Sequence, residues 1–393
     1  MYKKYLLKIL GIVFPALLAV SCIVPYEPGE LLNKEGILVV EGNISITGPF
    51  DIQITRSAAL PTTSSSPGSI HYERNALVYV RDRYGTVYTS ESHSAYGEYH
   101  FDFSDQSPDL QSEYQLVIEL QDGTTYESDF RKARHSSSME LHYKIDTLQE
   151  KLIIYVDTYD ISGESTHYNW KFRESWDYVS QIMSLAFLDN NIVKETEDFR
   201  PWMYRCWDNR ESSEILLVET SSLSEDRIND LVLHTINFRD IRITQHYSIE
   251  VIQTVLDRDA YAYMQNMKKN SNDIGDLFSP QPNEISGNIR CVSDPSVRAI
   301  GFVSVCNSVS KRLFISCMGL PGYPRERLPE DTLMPLSASA QSLARLKQEG
   351  YSPYLVDPLA KASYWNLTRC IDCRSKGGTI NIPSFWPAEW PRY

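Results

Sequence analysis

Tyr114, Leu116, Ile118 and Leu120 occupy alternate positions of one short stretch, with Gln115 and Glu119 between them. A period of two puts one set of side chains on a core face and the other towards water, the pattern of a half-buried β-strand. Asp122-Gly123 follows at once, a dipeptide that accepts the positive φ angles of a tight hairpin turn, and Thr125 to Phe130 supplies the return strand. The pattern recurs upstream. Ile37 to Val40 is β-branched, Ile52 and Ile54 alternate with polar partners, and Ala76 to Val80 is a compact apolar run. Tyr84-Gly85 and Tyr96-Gly97 are further turn signals. Short strands at regular spacing predict an N-terminal sandwich of about seven strands over residues 36–135. Pro61 to Gly68 is Ser- and Pro-rich, has no apolar face, and is expected to be an exposed loop.

Ser136-Ser137-Ser138 suggests a boundary, and residues 136–393 read as a second β-rich region with a few short helices. Its strand candidates are Leu152 to Val156, His167 to Phe172, Ile215 to Val218, Leu231 to Ile236, Tyr247 to Val255, Ile285 to Cys291, Ala299 to Cys306 and Arg312 to Cys317. Asp257 to Met267 is the clearest helix, capped by Asp257 or Asp259, with Tyr261, Met264 and Met267 as a core stripe. Ser339 to Gln348 is a second, shorter one. The fold class is therefore mainly β.

The N-terminus constrains location. Lys3, Lys4 and Lys8 precede an uncharged run from Ile9 to Val20, the length of a signal-peptide core and too short to span a bilayer. Leu18-Ala-Val-Ser-Cys22 closes it. Residues 1–21 read as a lipoprotein signal, with Cys22 as the acylated first residue and residues 22–35 as a Pro-containing tether. The customary Leu lies one position early, at Leu18, and an ordinary signal peptide with Cys22 incidental is the alternative. Acyl chains contribute roughly 0.8 kcal/mol per buried CH₂, so several on one cysteine would hold the chain at a membrane.

Charge narrows the partners. The formal net charge is −13, and setting aside the three lysines of the signal takes the remainder to −16. Such a balance opposes binding to nucleic acid and adsorption to anionic lipid. Beyond Cys22 stand Cys206, Cys291, Cys306, Cys317, Cys370 and Cys373, an even number in an exported chain, compatible with disulfides in any of several pairings. Cys306 and Cys317 lie in apolar segments and are candidates for buried thiols. Cys370-Ile-Asp-Cys373 is a Cys-x-x-Cys followed by Arg374, Ser375, Lys376, Gly377 and Gly378, a poor opening for the helix of a redox site. We expect a Cys370–Cys373 disulfide stapling a loop, a last strand at Thr379 to Ile382, and an aromatic tail (Phe385, Trp386, Trp390, Tyr393) that packs on the second region or docks a partner.

Catalytic signatures are missing. The chain has no His-Glu-x-x-His, no Gly-x-Ser-x-Gly and no phosphate-cradling glycine loop. His71, His93, His100, His135, His142, His167, His234 and His246 are scattered and read as surface or strand residues. Glu197-Asp198, Glu225-Asp226 and Glu330-Asp331 read as solvated acids. No catalytic residue, cofactor or metal site is expected.

Cys370-Ile-Asp-Cys-Arg374, Gly377-Gly-Thr379 and Pro383-Ser-Phe-Trp386 resemble the signature of the domain-of-unknown-function 4249 family of bacterial outer-membrane lipoproteins. Val39-Val-Glu-Gly42, Asp259-Ala-Tyr-Ala-Tyr-Met264, Gly287-Asn-Ile289, Ala299-Ile-Gly-Phe-Val-Ser304 and Ser310-Lys-Arg-Leu-Phe-Ile315 fit as well. The resemblance implies an immunoglobulin-like or transthyretin-like N-terminal domain. It also implies a non-enzymatic role as accessory to a TonB-dependent outer-membrane transporter, because members are commonly encoded beside one. It carries over no catalytic residue. Surface display is left open against a periplasmic position, since Ile23-Val-Pro-Tyr26 after Cys22 contains no acid. A stand-alone carbohydrate- or peptide-binding lipoprotein is the alternative, with Trp170, Trp176, Trp202 or Trp207 as stacking platforms. A hydrolase with an unfamiliar site is a third class.

Overall fold

The computed structural model describes residues 36–57, 70–103, 105–106, 108–196, 201–272, 287–320 and 327–390, with the side chains of 201 and 202 left aside. Cys22, the expected loop at Pro61 to Gly68, Glu197-Asp198 and the side chain of Trp202 lie outside the described residues. The chain is mainly β, in several sheets with few short helices.

The alternation that opened the sequence places its residues as expected. Tyr114, Leu116 and Ile118 are buried in strand Glu113–Glu119, which pairs antiparallel with Leu77–Asp82 and, through the Asp122-Gly123 turn, with Thr125–Ser128. Val87–Thr89 extends this sheet on one edge and Ile289–Cys291 on the other. A second sheet runs Ala299–Ile300, Leu38–Gly42, Phe50–Arg56, Glu98–Phe101, Ser92–His93. The two share one core, in which Leu38, Val40, Ile52, Ile54 and Phe101 from one sheet meet Val78, Val80, Leu116 and Ile118 from the other. Burial of each such side chain contributes about 1.5–3 kcal/mol.

This core corrects the expected boundary near residue 135. Ile289, Cys291, Val303 and Val305 belong to it, although the sequence reading assigns them to the second region. The predicted strand at Ala299 to Cys306 is two short pairings, Ala299–Ile300 parallel with Leu38–Gly42 and Cys306–Asn307 parallel with Arg134–His135. Parallel partners need a long connection. The returning segment is only a few residues of contact each time, so it carries little periodicity of its own.

The second core lies between a three-stranded sheet, Met139–Asp146, Lys151–Tyr159 and Arg227–Asn237, and a larger one ordered Arg205–Glu211, His167–Val179, His246–Val255, Val309–Ser316, with Leu216–Glu219 beside His167–Val179. Tyr168, Trp170, Phe172, Trp176 and Tyr178 recur with period two and point into it. Gln253, fully buried, ties the layers together. Its Oε1 accepts from the Trp170 indole (3.1 Å), and its amide donates to Ser136 Oγ, Ser137 O and Thr158 Oγ1.

Helix Arg258–Asn272 sits between the cores. Asp257 caps it, as predicted, through Oδ1 and the Ala260 amide (2.8 Å). Its Asp259 pairs with Arg131 (2.8 Å), and Tyr263 packs on Phe302.

A third group of elements follows. Thr332–Pro335, Ala362–Leu367 and Tyr351–Asp357 form a small sheet, joined by helix Ala340–Gln348, whose N-cap is Ser339. Hydrogen bonds that attach this group to the segment after strand His167–Val179 include Ile182 N to Cys370 O (2.8 Å), Leu185 N to Tyr354 O (2.7 Å) and Ser184 Oγ to Pro353 O (3.3 Å).

The disulfide expectation is overturned. Cys373 bonds Cys206, not Cys370. Cys370 lies within the single turn Thr368–Ile371, while Cys373 opens the next turn, Cys373–Lys376, and bonds the edge strand that carries Cys206. Tyr178 holds that loop by donating to Cys373 O (3.0 Å) and accepting from the Gly378 amide (3.0 Å). Instead of a last strand, Thr379 makes one bridge to Trp207.

Candidate docking surface

Buried charge is concentrated in the second core. Glu174 takes an inward position in the aromatic row of strand His167–Val179, at 1% exposure. It accepts from Arg242 (2.7 and 2.9 Å), from the Tyr247 hydroxyl (2.7 Å), and lies 3.3 Å from His234 Nε2. Burial alone would raise the Glu174 pKa. The hydrogen bond and charge of His234, the Tyr247 hydroxyl and the Arg242 guanidinium outweigh it and hold the carboxyl below its ordinary value. Burial, with the Glu174 charge, keeps Tyr247 protonated well above the usual tyrosine range.

A second network lies on the opposite face of the same strand. Asp177 pairs with Arg205 and accepts from the His246 amide (2.8 Å). His246 is 2% exposed and opens strand His246–Val255, the strand alternative of its expected place. Trp390 stacks on it at 4.4 Å, and Trp386 packs against Trp207 and Trp390. The aromatic tail therefore packs on the second core, which is one of the two outcomes expected for it.

Asp226 also departs from expectation. It is not solvated; it accepts from Tyr168 (2.5 Å) and Thr220 (2.6 Å). Asp331 is held by Tyr354 (2.8 Å) and Asn366 (2.9 Å). Cys291, Cys306 and Cys317 are buried thiols, as expected for the last two. Burial pushes Cys306 and Cys317 up to about 12, which leaves them unreactive as nucleophiles. Trp170, Trp176 and Trp207 are at most 6% exposed, so none is a platform for a ligand.

Exposed apolar side chains are spread over the described residues, and the third group of elements carries Leu328, Leu333, Leu336, Leu355 and Leu359. Alternation in Ala362–Leu367 turns Ser363 and Trp365 inward, where the indole donates to Ser363 Oγ (2.9 Å). Tyr364 then faces out, flanked in register by Leu333 on one neighbour and Leu355 on the other. Leu333 is 54% and Leu355 36% exposed, and Leu359, in the adjoining turn, is 97% exposed. A groove of about 420 Å³ runs between the hairpin Ala186–Asp189/Ile192–Glu195 and the small sheet, and Val356 in its wall pairs with Ser363, on the face opposite the row. Ile192, Val193, Pro335, Leu336 and Leu343 wall it together with the polar Asn191 and Glu195. Asn190 and Asn191, both at positive φ, form the hairpin turn. Singly exposed apolar residues are common, but an apolar row in register across three strands is a candidate contact site.

Two other clefts are more polar. One of about 490 Å³ includes Tyr178, Ser180, Thr244, Gln245 and Lys376, and one of about 190 Å³ includes Lys132, Arg134, His135, Asp160 and Glu164. Neither is lined by Glu174 or Asp177. Among the described residues, His142, Asp157 and Asp230 have metal-ligand spacing. Sequence reasoning missed them because they come from three strands with no fixed separation. Among the described residues no helix is long and apolar enough to cross a membrane.

Residues 23–312 match the family model described as domain of unknown function (DUF4249). The chain belongs to the DUF4249 family. The matched stretch holds the first core and most of the second and ends within strand Val309–Ser316, so the C-terminal motif that carried much of the resemblance lies beyond it. The apolar row and most of the groove also lie outside the residues matched to DUF4249. No curated protein matches the chain.

Proposed function

We propose that this DUF4249 member is a non-enzymatic outer-membrane lipoprotein, anchored through Cys22, that docks a TonB-dependent transporter through its C-terminal small sheet. The outward row of Leu333, half-buried Tyr364 and Leu355 carries the reading. Its occupant is an apolar loop of a protein rather than a lipid surface, because the chain's net charge of −13 opposes approach to anionic headgroups. Rim polarity fits a protein contact too. The backbone carbonyl of Lys361 accepts from the Leu336 amide at the groove's edge (2.9 Å), and Asp357 closes the turn below Leu359. An apolar centre within a polar rim is the usual anatomy of such an interface. The saturated state of Glu174 and Asp177, each buried among its partners, supports a structural rather than a catalytic role for both.

The test is affinity purification of the tagged full-length protein from membranes in mild detergent, at native expression. A transporter of this class recovered in stoichiometric amount bears the proposal out. Recovery of the lipoprotein alone overturns it.

A further inference from the structure

His142, Asp157 and Asp230 stand on three neighbouring strands and meet on the outward face of the three-stranded sheet. His142 Nδ1 lies 3.1 Å from an oxygen of Asp157, and Nε2 lies 2.9 Å from an oxygen of Asp230. One nitrogen of the ring and one oxygen of each carboxylate fall within 4.8 Å of one another. We propose that this triad binds a divalent first-row transition ion, with zinc the best fit.

The donor set selects the ion. One imidazole and two carboxylates suit zinc and its neighbours, at roughly 2.0–2.2 Å from each donor atom. Tetrahedral donors around such an ion stand about 3.3 Å apart and the donor atoms here lie within 4.8 Å of one another, so the carboxylate that faces the other ring nitrogen must swing by up to about 1.5 Å towards the nitrogen that bears the ion. Calcium and magnesium take oxygen donors and gain nothing from the imidazole. Two carboxylates against one imidazole leave at least one negative charge without a counterpart within the triad, and a dication supplies it.

The three side chains are gathered before any ion arrives. The His142 ring lies flat on Tyr155, with centroids 5.1 Å apart and planes 9° apart. Asp230 has φ 51°, inside a strand whose register shifts on either side of Val156. That backbone is costly for a residue other than glycine, on the order of 1–3 kcal/mol, and it carries the carboxylate over the imidazole. The Asp157 carboxylate fixes it there by accepting from the Asp230 amide (2.6 Å). Side-chain exposures of 41%, 33% and 77% leave the remaining coordination positions open to water, or to one donor atom from a docked molecule. The site is on a different sheet from the apolar row and stands independently of the transporter proposal.

The experiment is calorimetric titration of zinc into the chelator-stripped, detergent-solubilised full chain at pH 7.5, repeated with cobalt(II) for its visible absorption. One ion per chain is expected. His142→Ala and Asp230→Asn should each weaken binding tenfold or more and remove the cobalt band, while His71→Ala, exposed on another sheet, should change neither. Circular dichroism verifies that the variants fold; since all three side chains face outward, the sheet should persist. Absence of binding to the wild type, or binding undiminished in both site variants, overturns the proposal and leaves the triad as an ion pair around a histidine.

Discussion

Cys206 and Cys373 are joined by a disulfide across a sequence separation of 167 residues. The bond fastens the loop that follows the small sheet to the edge strand of the second core. Tyr178 grips the same loop from inside, Trp386 packs on Trp207 of the edge strand, and Trp390 packs on His246 and Phe314 of the neighbouring strands. The C-terminal segment is therefore a clasp on the second core.

Cys206→Ser should loosen that clasp. A cross-link closing so long a loop contributes about 2–5 kcal/mol, mainly by restricting the unfolded chain. Denaturant unfolding should show a loss of that size, and wild type with reductant should match the variant. Peptide mapping without reduction should recover a Cys206–Cys373 peptide pair; a Cys370–Cys373 peptide would contradict the assignment.

Glu174→Gln should cost about 1.5–3 kcal/mol at pH 7, because Arg242 keeps its pair with Asp240 but loses its charge-assisted bonds to Glu174. The pH dependence has a definite sign. Folding lowers the Glu174 pKa, so its contribution is present above the unfolded value of about 4.3 and is lost as pH falls through the folded value. The gap between wild type and variant, followed by urea unfolding from pH 7 down to pH 3, should narrow with acid. A constant gap would contradict the account.

Gly301→Ala should detach the returning segment from the first core. A Cβ there would lie 2.3 Å from Val40 O, on a backbone at φ +146°. Strain of roughly 1–3 kcal/mol is expected, read as a lower denaturation midpoint.

Intact-mass analysis of the mature protein should find an N-terminal Cys22 carrying acyl chains. Cys22→Ser should release the chain from the membrane fraction without altering its stability.

Where a rule is local, the sequence was readable. The period-two runs at Tyr114 to Leu120 and Leu152 to Val156 became strands, and Asp257 and Ser339 capped the helices they precede. Relations between distant residues were not readable. Nothing near Cys373 reveals that Cys206 faces it, and the adjacency of Cys370 drew the pairing the wrong way. Trp170 and Trp207 look alike in sequence whether they face a ligand or a core, since alternation fixes which residues share a face and not what covers it. Asp226 looks like any turn acid until Tyr168 arrives from another strand. The row of Leu333, Tyr364 and Leu355 exists only once three strands are in register.

The docking claim is tested most directly by a photo-crosslinking amino acid placed at Leu355 in living cells, with Lys144, exposed on the opposite sheet system, as control. The account predicts a Leu355 adduct, identified by mass spectrometry as a TonB-dependent transporter, and none from Lys144. No adduct at Leu355, or equal adducts at both positions, would contradict it.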